Sequence, residues 1–437
     1  MNILQVHNHY QIPGGEDTVA ENERWMLENY GHKVISYTRD NRELAEAGGI
    51  KKLKMYAESF YSLRTYREIR RILRREKIDV VHVHNTVHLI SPSVFYAAMR
   101  ERVPVVQTLH NFRIQCPGAT FYRDGHICEE CTTRGPGCAL RHRCYRGSAL
   151  QTAAVVISEQ LQRISGIRGK IRYICLTEFN REKLLEINRN GKIIIPPEHV
   201  YVKPNFTPSG TGKAESKREI KRQWPGIDTA GQGEGVSQVL SEIDLVESKV
   251  VAERFDASTG YYVSIGRLEH IKGTHLIVKA FAHIGLPIVM IGSGEQEAQI
   301  REYLKKYDIR NIRLTGQLPH DEAMELLKNA KALVIMPQWY ETFGMNVIEA
   351  YSQGVPVITN DIGNAAALVE DGITGIKCRN SVKDLEQAIR KFEGLKQRPF
   401  FDDVLKEYSE KYSEEENYKM LMEIYEKMQA NLCNERD

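Results

Sequence analysis

The strongest constraint on this chain is a rhythm met twice along its 437 residues: short, unbroken apolar runs separated by stretches of helical periodicity. In the second half YYVSIGR (261–267) precedes a helical pattern over 273–283, and PIVMIG (287–292) precedes one over 295–307. IRLTG (312–316) leads to 319–329, ALVIMP (332–337) to 343–353, and PVITN (356–360) closes the run. Runs apolar at every position suit strands covered on both faces, as in a parallel sheet between helices. Repeated β-α-β with short connections predicts a doubly wound sheet, whose ligands bind beyond the carboxyl ends of the strands. The first half shows the same habit in NILQV (2–6), KVISY (33–37), DVVHVHN (79–85), PVVQTLH (104–110), YICLT (173–177) and VYVKPN (200–205). A helix is predicted over Thr18–Tyr30, stopped by Gly31. The predicted fold class is α/β, two Rossmann-like doubly wound domains.

The length agrees with two domains, and 42% hydrophobic residues supply two cores. Between the halves, 207–257 is rich in Gly, Ser and charge and reads as an exposed excursion, with helix from Ser237 on. The tail has helical spacing over 401–432, through Leu405, Tyr408, Tyr412, Tyr418, Leu421, Ile424 and Met428. No run reaches the ~18 apolar residues of a membrane span. MNILQVHNHY lacks the pattern of a secretory leader, which predicts a cytoplasmic protein. Residues 1–205 hold 31 Lys and Arg against 21 Asp and Glu, a balance of +10, while the remainder is −7. A basic half joined to an acidic half predicts that the basic half faces something anionic.

Chemistry-bearing residues gather at strand ends. In PQWYETFGMNVIEAYSQGVPVITND (337–361), Glu341 and Glu349 stand eight positions apart across a glycine turn and a helix start. A helix beginning near Phe343, capped by Thr342, would offer free N–H groups at Phe343, Gly344 and Met345 to a phosphate. A carboxylate accepts two hydrogen bonds, and vicinal sugar hydroxyls supply them. Two solvated glutamates beside a tight turn is the other reading. SIGRLEHIKG (264–273) puts Arg267 and Lys272 at a strand's carboxyl end, where two cations can clamp a diphosphate; a basic surface loop is the alternative. In the first half QIPGGED (11–17) places Gly14 and Gly15 after the first strand, permitting close backbone approach to a ligand or simply a tight turn. His110 ends another strand and can bond a hydroxyl or a developing charge, or serve the core.

With these residues in place the second half closely resembles the retaining glycosyltransferases of family 4, which have the GT-B fold. The elements SIGRLEHIKG, IGSGEQE, ETFGMNVIEAYSQGVPVI and EDGITG carry the resemblance over about 130 residues. The first half resembles the family more loosely through GGED, TLHN and KPNF. The resemblance implies two domains facing a central cleft: an acceptor-side domain over 1–206, a linker over 207–257, a nucleotide-sugar domain over 258–395, and a C-terminal segment, 396–437, crossing back to the first domain. It implies a UDP- or GDP-sugar donor, with Arg267 and Lys272 on the diphosphate, Glu341 on the donor sugar and Glu349 on the ribose. It places the amides of Gly344 and Met345 on phosphate and sugar, Gly14 and Gly15 against the diphosphate, and His110 near the transferred sugar. It implies transfer with retention to a glycan or lipid-linked acceptor, in cell-surface polysaccharide or glycolipid synthesis. No Asp-x-Asp occurs, so no metal-chelated diphosphate is expected. One departure stands out. The family often has Gly-Gly-x-x-Glu where this chain has DIGNAAALVEDG, with Gly363, Asn364 and Ala367.

CPGATFYRDGHICEECTTRGPGCALRHRCYRGS (116–148) holds five cysteines with Cys128-x-x-Cys131 spacing, and a subset of family 4 shows a similar segment. A structural zinc on Cys116, Cys128, Cys131 and Cys144 is one reading, with Cys138 extra and His126 and His142 as substitutes. A loop of reduced thiols is the other. Residues 51–77 carry ten Lys and Arg against three Glu, with Leu53, Tyr56, Phe60 and Leu63 at helical spacing. That pattern fits a helix on an anionic membrane, at the inner face of the plasma membrane, or a core helix with a basic solvated face. No nucleic-acid motif accompanies the basic stretch. Two rival classes are a catalytically silent GT-B module that binds a glycan or a partner, and an NAD-dependent dehydrogenase. The latter lacks the third glycine of its fingerprint after Gly292-x-Gly294.

Overall fold

The computed structural model describes residues 1–10, 14–46, 48–49, 55, 58–189, 191–208, 260–395 and 400–434. The linker reading over 207–257, its helix from Ser237, and residues 51–54, 56 and 57 of the basic stretch therefore lie outside the described residues, apart from 207 and 208.

Two six-stranded parallel sheets form the framework. The first has the order β2-β1-β3-β4-β7-β8, built from β1 (Asn2–His9), β2 (Lys33–Asp40), β3 (Val80–Val83), β4 (Val105–Thr108), β7 (Arg172–Cys175) and β8 (Val200–Val202). The second has the order β11-β10-β9-β12-β13-β14, from β9 (Tyr262–Ile265), β10 (Ile288–Ile291), β11 (Ile312–Gly316), β12 (Leu333–Ile335), β13 (Val357–Asn360) and β14 (Gly375–Cys378). Every residue of β3, β10, β12 and β13 is buried, as unbroken apolar runs require of strands covered on both faces. In the second sheet the chain starts at β9, winds outward to β11, then returns to β12 on the other side. That reversal of direction opens a crevice between the ends of β9 and β12.

Features not read from the sequence include strand β14, the antiparallel hairpin β5 (Tyr122–Arg123) with β6 (His126–Ile127), the short helices Glu130–Arg134 and Gly137–His142 in the cysteine-rich segment, and the helices Gly363–Leu368 and Val382–Glu393.

The last helix, Glu414–Asn434, packs on the first sheet although it follows the second in sequence. Leu421, Ile424, Tyr425 and Met428 join a core with Ile3, Met26, Leu27, Val80, Val106 and Ile174. Each large side chain buried this way stabilises by about 1.5–3 kcal/mol, so the helix is held firmly to the first half. Tyr340 of the second half sits against Phe179, with ring centroids 4.9 Å apart, and near Phe112 and Phe121 of the first.

Candidate functional site

The crevice between β9 and β12 contains a small cavity of about 20 Å³ lined by Arg267, Lys272, Glu341, Thr274 and Asn346. Local chain geometry explains the convergence. After β9 the chain makes one turn of 3₁₀ helix, His270–Lys272, and passes through Gly273 at φ +69°. A Cβ there would lie 1.8 Å from the Met336 carbonyl oxygen, so only glycine lets this turn press against the end of β12. The turn delivers the Lys272 ammonium to the Glu341 carboxylate, and the two form an ion pair with side chains 27% and 12% exposed. Lys272 Nζ also lies 5.5 Å from the centre of the Trp339 ring. Arg267 stands 62% exposed at the rim and pairs with Glu269 at 2.7 Å.

The following helix runs Met345–Ser352 with Gly344 as its N-cap at φ +115°. The expected start at Phe343 with Thr342 as cap is corrected. The Thr342 carbonyl instead accepts from Asn180 Nδ2 at 2.7 Å and Asn364 Nδ2 at 2.9 Å. Asn346 Nδ2 donates to the Ile265 carbonyl at 3.2 Å and ties the helix start to the end of β9. Glu349 lies a turn further on and does not line this cavity. Burial holds its carboxyl above the usual range, with His320 opposing.

Asn364, noted as a departure, is fully buried. Its amide reaches the carbonyls of Glu341 and Thr342 and Asn180 Oδ1 at 2.6 Å, and Thr177 donates to its oxygen. The loop that carries Glu341 is thus pinned from both halves of the molecule.

On the first sheet, Gly14 caps the helix Gly15–Asn29, and its N–H donates to Asp17 Oδ2 at 2.9 Å. Nothing lies within 4 Å of where a Cβ would stand at Gly14 or Gly15, so their backbone faces open space. Asp17 Oδ1 lies 2.8 Å from His7 Nε2 and 3.0 Å from His9 Nδ1. His110 lines a second, larger cavity of about 90 Å³, with Arg113, Gln107, Gln162 and the buried Arg168–Glu159 pair. His110 Nε2 lies 3.0 Å from His84 Nδ1. Burial, then the neighbouring His84, hold its pKa well below the usual 6.5, so it is neutral.

The structure therefore unites Arg267, Lys272 and Glu341 around one cavity and places His110 on another. Residues missed from the sequence include Asp17, His84, Asn180 and the positive part played by Asn364. The signal was the i, i+2 spacing of His82, in β3, and His84, just after it.

Cys116, Cys128, Cys131 and Cys144 are neighbours. A tetrahedral zinc with Zn–S bonds of about 2.3 Å would bring their sulfurs within about 4 Å of one another. Among the described residues, no three cysteine sulfurs lie within 4.8 Å of one another. Burial and the adjacent Cys116 push the Cys131 thiol up to about 12, where it stays protonated.

Residues 13–206 match the sequence profile of glycosyltransferase family 4, and residues 247–427 match that of the glycosyl transferases group 1. Together they span most of the chain. It belongs to glycosyltransferase family 4. Within the curated members, this family 4 chain is 31% identical over 162 residues to glycogen synthase of Mycobacterium tuberculosis, 36% of this chain and 39% of that protein. It is 30% identical over 132 residues to the D-inositol 3-phosphate glycosyltransferase of Pseudarthrobacter chlorophenolicus, 28% of this chain and 31% of that protein. The chain thus spans well under half the length of these relatives. A crystal structure of a glycosyltransferase from Rickettsia africae aligns over 98% of both chains with TM-score 0.63 at 15% identity. Anabaena HepE in complex with UDP and glucose aligns over 96% and 98% with TM-score 0.58 at 14% identity. These likenesses show the GT-B fold.

Proposed function

We propose that this protein is a retaining glycosyltransferase that moves a sugar from a UDP- or GDP-sugar to a glycan or lipid-linked acceptor, in cell-surface polysaccharide or glycolipid synthesis. The observation that carries the reading is the cavity shared by Arg267, Lys272 and Glu341 at the β9–β12 crevice. Breaking the anomeric C–O bond builds negative charge on the diphosphate and positive charge on the sugar. Arg267 and Lys272 offset the first, and they are already in place before reaction, which is what makes such charges effective. Glu341 accepts from sugar hydroxyls and Glu349 from the ribose, with the amides at Gly344 and Met345 beside them. Gly14 and Gly15 approach the diphosphate from the other half, and His110 faces the transferred sugar. In this reading residues 1–206 carry the acceptor, 258–395 the donor, and 396–437 join the two.

The acceptor side also suits an anionic membrane surface at the inner face of the plasma membrane. Leu150, Ile157, Leu161 and Ile164 are exposed along the helix Ala149–Ile164. The end of that helix bonds Tyr96 through Ser165 at 2.7 Å, and Tyr96 packs on Tyr61 beside the arginine-rich helix Leu63–Glu76. Exposed apolar and basic side chains on neighbouring helices suit lipid headgroups.

A thermal-shift panel of UDP- and GDP-sugars, followed by transfer assays on the hits and NMR of the anomeric proton, tests the reading. Stabilisation by one donor and a product of retained configuration are expected. Binding without turnover on any acceptor would favour a silent glycan-binding module.

A further inference from the structure

Beneath His110 lies a buried polar cluster that the cleft chemistry does not touch. Glu23, on the helix Gly15–Asn29, has a side chain 2% exposed. Its Oε1 lies 2.9 Å from His82 Nδ1 and 3.3 Å from His84 Nε2, and its Oε2 lies 3.4 Å from Lys203 Nζ. Oε1 has no aligned hydrogen bond, so it acts through charge. The C-terminal helix closes the cluster. Tyr425 OH lies 2.6 Å from His82 Nδ1, and Asn417 Oδ1 accepts from Lys203 Nζ at 2.8 Å. On the other side His84 Nδ1 meets His110 Nε2 at 3.0 Å.

We infer that Glu23 is a positioning residue that acts through His84 to decide which ring nitrogen of His110 carries the proton, and that the C-terminal helix holds this arrangement in place. The inference rests on the proposed role of His110 beside the transferred sugar. Two groups compete for His84 Nε2: the Glu23 carboxylate and the Gln5 amide nitrogen, each at 3.3 Å. The carboxylate, being an anion, favours a proton on Nε2. His84 Nδ1 is then a lone pair, which accepts from Nε2–H of His110. That leaves Nδ1 of His110 as the acceptor available to a hydroxyl. If the amide prevailed instead, His84 would donate from Nδ1, and the His110 proton would move to Nδ1. Both rings are neutral near pH 7: burial lowers His84 to about 4, and His110 is held well below its usual range. Besides His84, the charged and titratable groups Glu23, His7 and His82 act on His110, and His88, Arg113 and the Arg168–Glu159 pair line the same cavity.

Glu23→Gln presents two amides to His84 Nε2 and tests the idea. ¹⁵N-histidine NMR reads the His110 tautomer, while steady-state kinetics separate kcat from KM for the donor. In the parent we expect a single Nε2–H tautomer. In E23Q we expect the Nδ1–H form or a mixture, kcat down about tenfold, donor KM within twofold, and partial recovery in Glu23→Asp. An unchanged tautomer with unchanged kcat overturns the inference. His84→Gln carries the same kinetic readout should E23Q fail to fold, and a normal kcat there is equally fatal. His110→Ala separates the two proposals: normal turnover in H110A sinks the role of His110 itself. An inactive H110A beside a normal E23Q sinks only the part given to Glu23.

Discussion

Lys272 and Glu341, 69 residues apart in the chain, meet as an ion pair where β9 and β12 part. Each neutralises the other, so neither is an unpaired charge in a half-buried site. Lys272→Ala and Glu341→Ala are each expected to lower turnover by about 10²-fold or more, the usual loss on removing a preorganised stabiliser. Because the two residues touch, the double variant should lose less than the product of the single losses. Near-parental rates in both single variants would refute their assignment.

The glycines separate a structural requirement from a functional one. Gly273→Ala must push the Met336 carbonyl aside at a left-handed φ and is expected to destabilise by about 2–4 kcal/mol, read as a drop in Tm. Gly15→Ala lies at a helix start with open space around it, so folding should be unharmed or improved by about 0.5 kcal/mol. If the Gly14-Gly15 backbone meets the diphosphate, the same variant should still weaken donor binding, measured by calorimetry.

Asn364 tests how the Glu341 loop is held. Asn364→Ala removes a buried amide from four partners and should cost about 2–4 kcal/mol, with turnover falling alongside. Asn364→Glu aims a carboxylate at the carbonyls of Glu341 and Thr342. It should be worse than alanine in urea unfolding. A stable, active N364E would show that the loop readily adopts another arrangement.

The pH dependence of stability follows from buried histidines. Burial lowers both His84 and His88 from 6.5 to about 4. The unfolded chain therefore takes up their protons first. Their contribution is intact above pH 6.5 and is lost as pH falls toward 4. His88→Asn should flatten this slope, narrowing the gap to the parent by on the order of 2 kcal/mol between pH 7.5 and 4.5. An identical pH slope in H88N would count against a neutral, buried His88, whose Nε2 bonds Tyr145 OH at 2.7 Å.

Much of the scaffold was legible in the chain because it is local information. Runs such as ALVIMP and PVITN are apolar at every step, and only a strand buried on both faces has use for that. Arg267, Lys272 and Glu341 could be placed at strand ends because motif spacing puts them there. Several elements that escaped notice are short: β5 and β6 have two residues each, and the helices of the cysteine segment have five and six, although the twelve-residue helix Val382–Glu393 was missed as well. The short pieces are too brief for a period to show. The first turn of Met345–Ser352 was misplaced because Thr342 is a good cap by type, while tertiary partners Asn180 and Asn364 claim its carbonyl.

By itself, then, the sequence determined two wound sheets, the order of their strands along the chain, and which loops bear charge. Only the tertiary structure decided that Glu23 lies under His84 and that Tyr425 closes the cluster from the far end of the chain. The reason is physical. Periodicity reports which face of an element avoids water, a property of neighbours a few residues apart. Pairing of buried polar groups depends on which elements pack together, and that is settled by contacts hundreds of residues distant, such as His82 with Tyr425 across 343 positions.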